Sequence, residues 1–403
     1  MKRRNVIGIG LAAAIVAGGV VAGTYLGKTT DRGSPAAATQ PTSLPAEIPR
    51  TLTSTESPVP AQPGCPDPSQ LNRLPLRDKL AQLLMVGVED EADARSVVVN
   101  HHVGGIFVAS WTDLSMLASG ALTQLATTAT PLPLLVSVDE EGGRVSRLSE
   151  LIGPSPSARA LAQSESPEQV YQLALDRGSQ MRTLGINVDF APVVDITAAP
   201  AETVIGDRSF GDDPEVVTRY AGAYARGLRD AGLLPVLKHF PGHGNATGDS
   251  HQTGVVTPPL DQLLTNDLVP YRNLLVDRPV GVMMGHMQVP GLTGSDQASL
   301  SKAAVSLLRN GTGYGATPFD GPVFTDDLST MKAITDQYSV PEAALIALQA
   351  GVDVALWVST AEVPAVLDRL ESAANNGELE VAAVDASVQR LAAVKAPLAG
   401  CFR

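Results

Sequence analysis

Pro235-Val236-Leu237-Lys238-His239-Phe240-Pro241-Gly242-His243-Gly244-Asn245-Ala246-Thr247-Gly248-Asp249-Ser250-His251 is the stretch on which the reading of this chain turns. It starts as an apolar run and ends that run on a lysine and a histidine. Phe240-Pro241-Gly242 and Gly244 do not continue a helix, so the run is a strand that empties into a loop. Three of the chain's six histidines lie between positions 239 and 251. Imidazole takes up and releases a proton near neutral pH. A loop holding Asp249-x-His251 beside a fixed Lys238-His239 therefore has the makings of a site that moves protons next to a polar ligand. Two other readings stand beside that one. Glycine-rich loops with histidine are often structural only, and His239, His243, His251 and Asp249 are all possible metal ligands. Against metal, the spacing is not that of a helical HExxH pair, and Lys238 would set a positive charge beside the ion.

On either side of this strand, short apolar runs alternate with longer helical patterns from Leu74 onward. Strands are expected at 83–88, 105–108, 134–138, 187–192, 235–239, 281–286, 322–325 and 352–357. Ser166-Pro167-Glu168-Gln169 supplies an N-cap, a proline at the first helical position and a capping-box glutamine. Asp213-Pro214-Glu215 opens another helix, and Pro341-Glu342 a third that closes at Gly351. Apolar strands separated by helices imply parallel strands covered on both faces. A (β/α)8 barrel is expected, with a doubly wound open sheet as the alternative. The strand ends favour the barrel: Asp139, Asp189, Lys238-His239, His286 and Asp326-Asp327 all fall where strands finish. Barrel enzymes assemble their sites there, from several loops at once.

The bulk numbers agree. A chain of 403 residues with 44% hydrophobic and 18% charged residues can bury one large barrel or two ordinary domains. Aromatics are only 4%, so the core is aliphatic. A formal net charge of -13 argues against nucleic acid, which selects basic surfaces. Met1-Lys2-Arg3-Arg4 followed by an uncharged stretch reads as a signal peptide or N-terminal membrane anchor over 1–27. With the arginines inside, the remainder faces outward. Residues 28–64, with Pro45, Pro49, Pro58, Pro60 and Pro63, read as a tether. The folded domain is expected over 65–403. Cys65 and Cys401 flank it, and in an oxidising compartment they are expected to pair. Closing so long a loop stabilises by roughly 5 kcal/mol in the chain-entropy account.

Further motifs carry chemistry. Phe324-Thr325-Asp326-Asp327-Leu328-Ser329 puts two carboxylates at a strand terminus, one a candidate nucleophile and the other a candidate helix cap. Asp139-Glu140-Glu141-Gly142-Gly143-Arg144-Val145-Ser146-Arg147 can turn tightly enough to aim Asp139 and Arg147 into one mouth. Gly206-Asp207-Arg208-Ser209-Phe210-Gly211 adds a loop arginine.

Taken in order, Asp-x-Glu-Gly-Gly-Arg-Val-x-Arg, Gly-x-Arg-x-Phe, Lys-His-Phe-Pro-Gly-His-Gly with Asp-Ser-His, and Thr-Asp-Asp-Leu-Ser resemble glycoside hydrolase family 3. The likeness is to its single-domain β-N-acetylglucosaminidase branch and spans about residues 70 to 397. It implies that Asp326 is a nucleophile, that His251 is the acid/base oriented by Asp249, and that Asp139, Arg147, Arg208, Lys238 and His239 bind the sugar. His243 is expected to shape the loop, and His286 and Asp189 to line the pocket floor. Retaining cleavage of a GlcNAc-containing oligosaccharide or muropeptide is implied, by a monomer without metal or organic cofactor, touching a membrane only through its N-terminal segment. An inactive wall-sugar binder, an N-acetylglucosaminide phosphorylase and another family 3 β-glycosidase stay open as alternatives. Two departures stand out: Thr330 separates Ser329 from Met331, and Asn245 follows Gly244.

Overall fold

The computed structural model describes residues 71–128, 131–252 and 254–399. The calls on 1–27, on 28–64 and on Cys65 and Cys401 lie outside these residues. The expected strands form as β1 (Leu84–Val88), β2 (Gly105–Val108), β3 (Leu135–Val138), β4 (Val188–Asp189), β5 (Leu234–Phe240), β6 (Gly281–Met284), β7 (Val323–Thr325) and β8 (Ala355–Trp357). They make one eight-stranded parallel sheet in the order β8-β1-β2-β3-β4-β5-β6-β7. The two ends of that order meet. Phe324 bridges Val354, Thr325 N donates to Val354 O, and Leu328 N donates to Leu356 O, the last two at 3.0 Å. The sheet is a barrel, and the open doubly wound alternative is set aside.

At least one helix follows each strand, the main ones being α1 (Glu91–His101), α2 (Ala121–Thr128), α3 (Pro167–Thr183), α4 (Pro214–Asp230), α5 (Val269–Leu274), α6 (Lys302–Asn310), α7 (Val340–Ala350) and α8 (Val363–Asn375), with α9 (Val381–Leu398) closing the described chain. Their starts and stops follow the sequence. Ser166 and Gln169 exchange side-chain and backbone hydrogen bonds as a capping box. Asp213 accepts from Glu215 N and Val216 N. Such caps are worth about 1 kcal/mol each. α7 closes on Gly351, whose φ of 104° suits glycine.

β4 is shorter than the expected 187–192. The regular ladder stops at Asp189, and Pro192, which has no N–H to give, lies in the irregular stretch that follows. Phe190 N still donates to Val138 O, and Ala191 O accepts from Val236 N. The barrel interior is filled by apolar side chains, among them Phe190, whose ring centroid lies 5.9 Å from Phe107 and 5.5 Å from Phe324. Charges at the amino-terminal end of the strands are structural: Asp353 binds Arg309 and Arg390 and accepts from Val323 N.

Candidate active site

The carboxyl ends of the strands surround a cavity of about 410 Å³. Asp139, Arg147, Arg208, Lys238, His239, Asp249, His251 and Asp326, all expected from sequence, line it. β5 supplies the most. Its pairing with β6 shifts register between Leu237 and Phe240. Lys238 and His239 sit in that irregularity, and both line the cavity. In a regular strand, successive side chains would face opposite sides.

Lys238 Nζ lies 2.5 Å from Asp139 Oδ1 and 2.6 Å from Glu141 Oε1. Arg208 grips the same Glu141 with both prongs, Nε and Nη2 each at 2.8 Å. This fork is the favoured arginine–carboxylate geometry. Gly206 makes the turn that delivers Arg208: its φ is 46°, and a Cβ there would stand 2.2 Å from Ala201 O. Burial alone would raise the Glu141 carboxyl, but Arg208 and Lys238 hold it well below the usual range. Burial alone would lower the Lys238 ammonium, but Asp139 and Glu141 raise it. Glu141, Arg208 and Lys238 are therefore charged at neutral pH, with Asp139 held against Lys238. They form a stiff wall of donors and acceptors suited to hydroxyl groups.

Asp195 stands behind His239. Its Oδ2 is 2.6 Å from His239 Nδ1, and its Oδ1 accepts from His239 N at 3.3 Å and His243 N at 2.7 Å. A carboxylate only accepts, so the hydrogen is on Nδ1 and Nε2 faces the cavity. Burial would raise the Asp195 carboxyl, and His239 and His243 bring it below its ordinary value. Nε2 of His239 lies 3.5 Å from Arg208 Nη2 and 4.0 Å from Asp326 Oδ2.

Asp326 leaves the end of β7, its N–H donating to Met284 O. Burial would raise its carboxyl, but His239, His286, the Asp327 N–H and Lys238 bring it to about 2. It is an ionised, largely buried carboxylate at neutral pH, and its side chain remains 18% exposed to the cavity. The neighbouring Asp327 is the cap. It accepts from Ser329 N and Oγ at 2.8 Å and from Thr330 N at 3.0 Å, with the Thr330 hydroxyl as a further partner. Thr330 thus takes part in fixing this turn.

The loop after β5 carries the acid/base candidate. Thr247 pairs antiparallel with Val256, so Asp249 and His251 sit on a hairpin tip. Asp249 Oδ1 accepts from His251 N and faces His251 Nδ1, both at 2.9 Å. Burial would raise the Asp249 carboxyl, and the hydrogen bonds from His251 outweigh it and lower it. The His251 side chain is 58% exposed. At the loop's root, Gly244 presses on the chain after Asp195: a Cβ there would stand 2.1 Å from Ile196 O. Ser250 O accepts from Ala333 N, tying the tip to the segment after the nucleophile candidate.

His243, expected to shape the loop, also lines the cavity, with its Nε2 3.4 Å from Ser250 Oγ. His286 and Asp189 do not line the cavity, contrary to expectation. Both are fully buried beneath it. His286 Nε2 is 2.8 Å from Asp327 O, which only accepts, so Nε2 carries the hydrogen and Nδ1 accepts from Ser299 Oγ. Burial lowers its imidazolium form. Asp189 accepts from Glu140 N, and burial pushes its carboxyl well up. Sequence reasoning missed Glu141 and Asp195. Glu141 was hidden among adjacent acids. Asp195 had one signal, a lone charge inside the apolar run Ala191-Pro192-Val193-Val194-Asp195-Ile196. Among the described residues no three His, Cys, Asp or Glu side chains converge to hold a metal ion.

A barrel with a nucleophile-like carboxylate, a hydroxyl-binding wall and a His–Asp pair at one mouth is the arrangement of a glycoside-cleaving enzyme. The glycosyl hydrolase family 3 N-terminal domain matches residues 75–394, and the chain belongs to that family. It is 65% identical over 347 residues to a beta-hexosaminidase, LpqI, of Mycobacterium tuberculosis, covering 86% of this chain and 89% of that one. A solved family 3 glycosyl hydrolase of Mycobacterium smegmatis superposes with a TM-score of 0.80 at 69% identity, covering 81% of this chain and 98% of that one. A family 3 beta-N-acetylglucosaminidase of Paenibacillus superposes at 0.74 with 35% identity, covering 81% and 63%.

Proposed function

We propose that this chain is an exported, retaining exo-β-N-acetylglucosaminidase that removes non-reducing N-acetylglucosamine from peptidoglycan fragments. One observation carries the reading: Asp326 and the Asp249–His251 pair line the same cavity as the charged wall of Asp139, Glu141, Arg208, Lys238 and His239. The activities named for the relatives support the sugar, and the basic-then-apolar N-terminus supports export.

The wall orients the hydroxyls of one ring, with Arg147 at its edge. Asp326 attacks the anomeric carbon through an oxocarbenium-like state. Protonated His251 gives its Nε2 hydrogen to the departing oxygen as that bond breaks. Asp249, accepting from Nδ1, steadies the charged ring. In the second step neutral His251 takes a proton from water, which attacks the glycosyl ester and frees Asp326. Two inversions at one carbon give net retention. Tilting of the hairpin tip brings His251 onto the bound sugar, a gating motion.

The test is a panel of N-acetylglucosaminyl-N-acetylmuramic acid, chitobiose, an aryl N-acetylglucosaminide and the matching glucoside, followed by NMR of the first-formed anomer. Release of β-N-acetylglucosamine, fastest from the muramic acid disaccharide, is expected. Inactivity on every N-acetylglucosaminide would favour a sugar binder. Sugar 1-phosphate formed in phosphate buffer would favour a phosphorylase.

A further inference from the structure

The cavity has two unlike walls. The arc contributed by β3, β4 and β5 carries Asp139, Glu141, Arg208, Lys238 and His239. The arc contributed by β8 and β2 carries Leu356, Val358, Ala109, Ser110 and Trp111, none of them charged. Trp111 is 53% exposed, in a chain with only two tryptophans.

The turn beneath that indole is firmly held. Thr112 is buried, its Oγ1 donates to Val88 O, and it accepts from Ala109 N at 2.9 Å. Asp113 N donates to Glu89 O at 2.8 Å. The two residues after Trp111 are thus bonded to the end of β1, and Ala109 is tied to Thr112, while Trp111 itself stays half exposed. A single exposed apolar side chain is ordinary on a surface, but this one lines the cavity beside four other uncharged residues. A rigid aromatic also loses little conformational entropy on binding.

We infer that Trp111 is the platform for the leaving group, taking the apolar face of a second pyranose ring while the charged wall holds the first. The occupant is a β-linked sugar aglycone. The indole offers C–H-facing apolar area and no charge, which suits a pyranose face better than an ionic group. The inference rests on the glycosidase reading above and adds the specificity element for its aglycone.

The experiment compares chitobiose with methyl β-N-acetylglucosaminide, whose aglycone has similar basicity but no ring, in wild type, Trp111→Ala and Trp111→Phe. The ratio of kcat/KM for chitobiose over the methyl glycoside is expected to fall about tenfold in Trp111→Ala, mainly through KM, with most of it kept by Trp111→Phe. An unchanged ratio, with or without a parallel loss on both substrates, overturns the inference and leaves the glycosidase reading standing. A folded wild-type protein inactive on both substrates overturns the two together.

Discussion

Asp195 Oδ2 lies 2.6 Å from His239 Nδ1, while Oδ1 of the same carboxylate accepts from the backbone of His243. One buried carboxylate therefore aims a cavity-lining imidazole and pins the root of the loop that carries His251. The proposed sugar-binding histidine and the proposed acid/base loop thus share a single support.

Asp195→Asn puts an amide where both lone pairs are needed. A buried donor left without an acceptor costs about 1–3 kcal/mol. We expect kcat/KM to fall roughly tenfold to a hundredfold with the fold intact by circular dichroism. A structural role alone would lower the melting temperature and leave the kinetics and their pH profile unmoved.

Asp326→Ala is expected to cut kcat by about 10³-fold or more, the scale seen when a reacting group is removed. The carboxyl titrates near 2 against an ordinary 3.8. Its folded value is depressed, so its stabilising contribution is present above about 3.8 and is lost as pH falls toward 2. An acid limb in the kcat/KM profile near pH 5 to 7 would therefore belong to another group. Persistence of full activity in Asp326→Ala would refute the assignment.

His251→Ala is expected to slow alkyl and sugar glycosides more than nitrophenyl glycosides, because a good leaving group needs little protonation. Asp249→Asn should follow in the same direction with a smaller effect. A Brønsted plot of kcat/KM against leaving-group pKa makes the comparison, and equal slopes in wild type and His251→Ala would count against an acid role.

Lys395 tests the other end of the barrel. Its Nζ donates to Gln82 Oε1 and Gly104 O, both neutral, and burial lowers its ammonium from 10.5 to about 7. The unfolded chain keeps the proton to higher pH, so stability rises as pH climbs from about 7. The slope is up to about 1.4 kcal/mol per unit. Urea unfolding between pH 7 and 9 should show that rise, and Lys395→Met should flatten it.

Periodicity, caps and polar strand ends were legible in the chain because each is local. Ser166, Asp213 and Gly351 mark helix ends through bonds to residues a few positions away, and the eight apolar runs follow from burial on both faces. The lining of the cavity was partly legible too, since Asp139, Lys238, His239 and Asp326 lie at strand ends and Asp249 and His251 in the loop after β5.

What each residue touches was decided by the closed barrel. Lys238 reaches Asp139, and Asp195 reaches His239, across sequence gaps of 99 and 44. His286 and Asp189 stand at strand ends like the others, yet they point beneath the cavity. Sequence by itself determined which side chains could meet, because alternation and chain punctuation depend on near neighbours. The tertiary structure alone determined which do, because register around the barrel and the desolvation that sets each charge depend on strands distant in the chain.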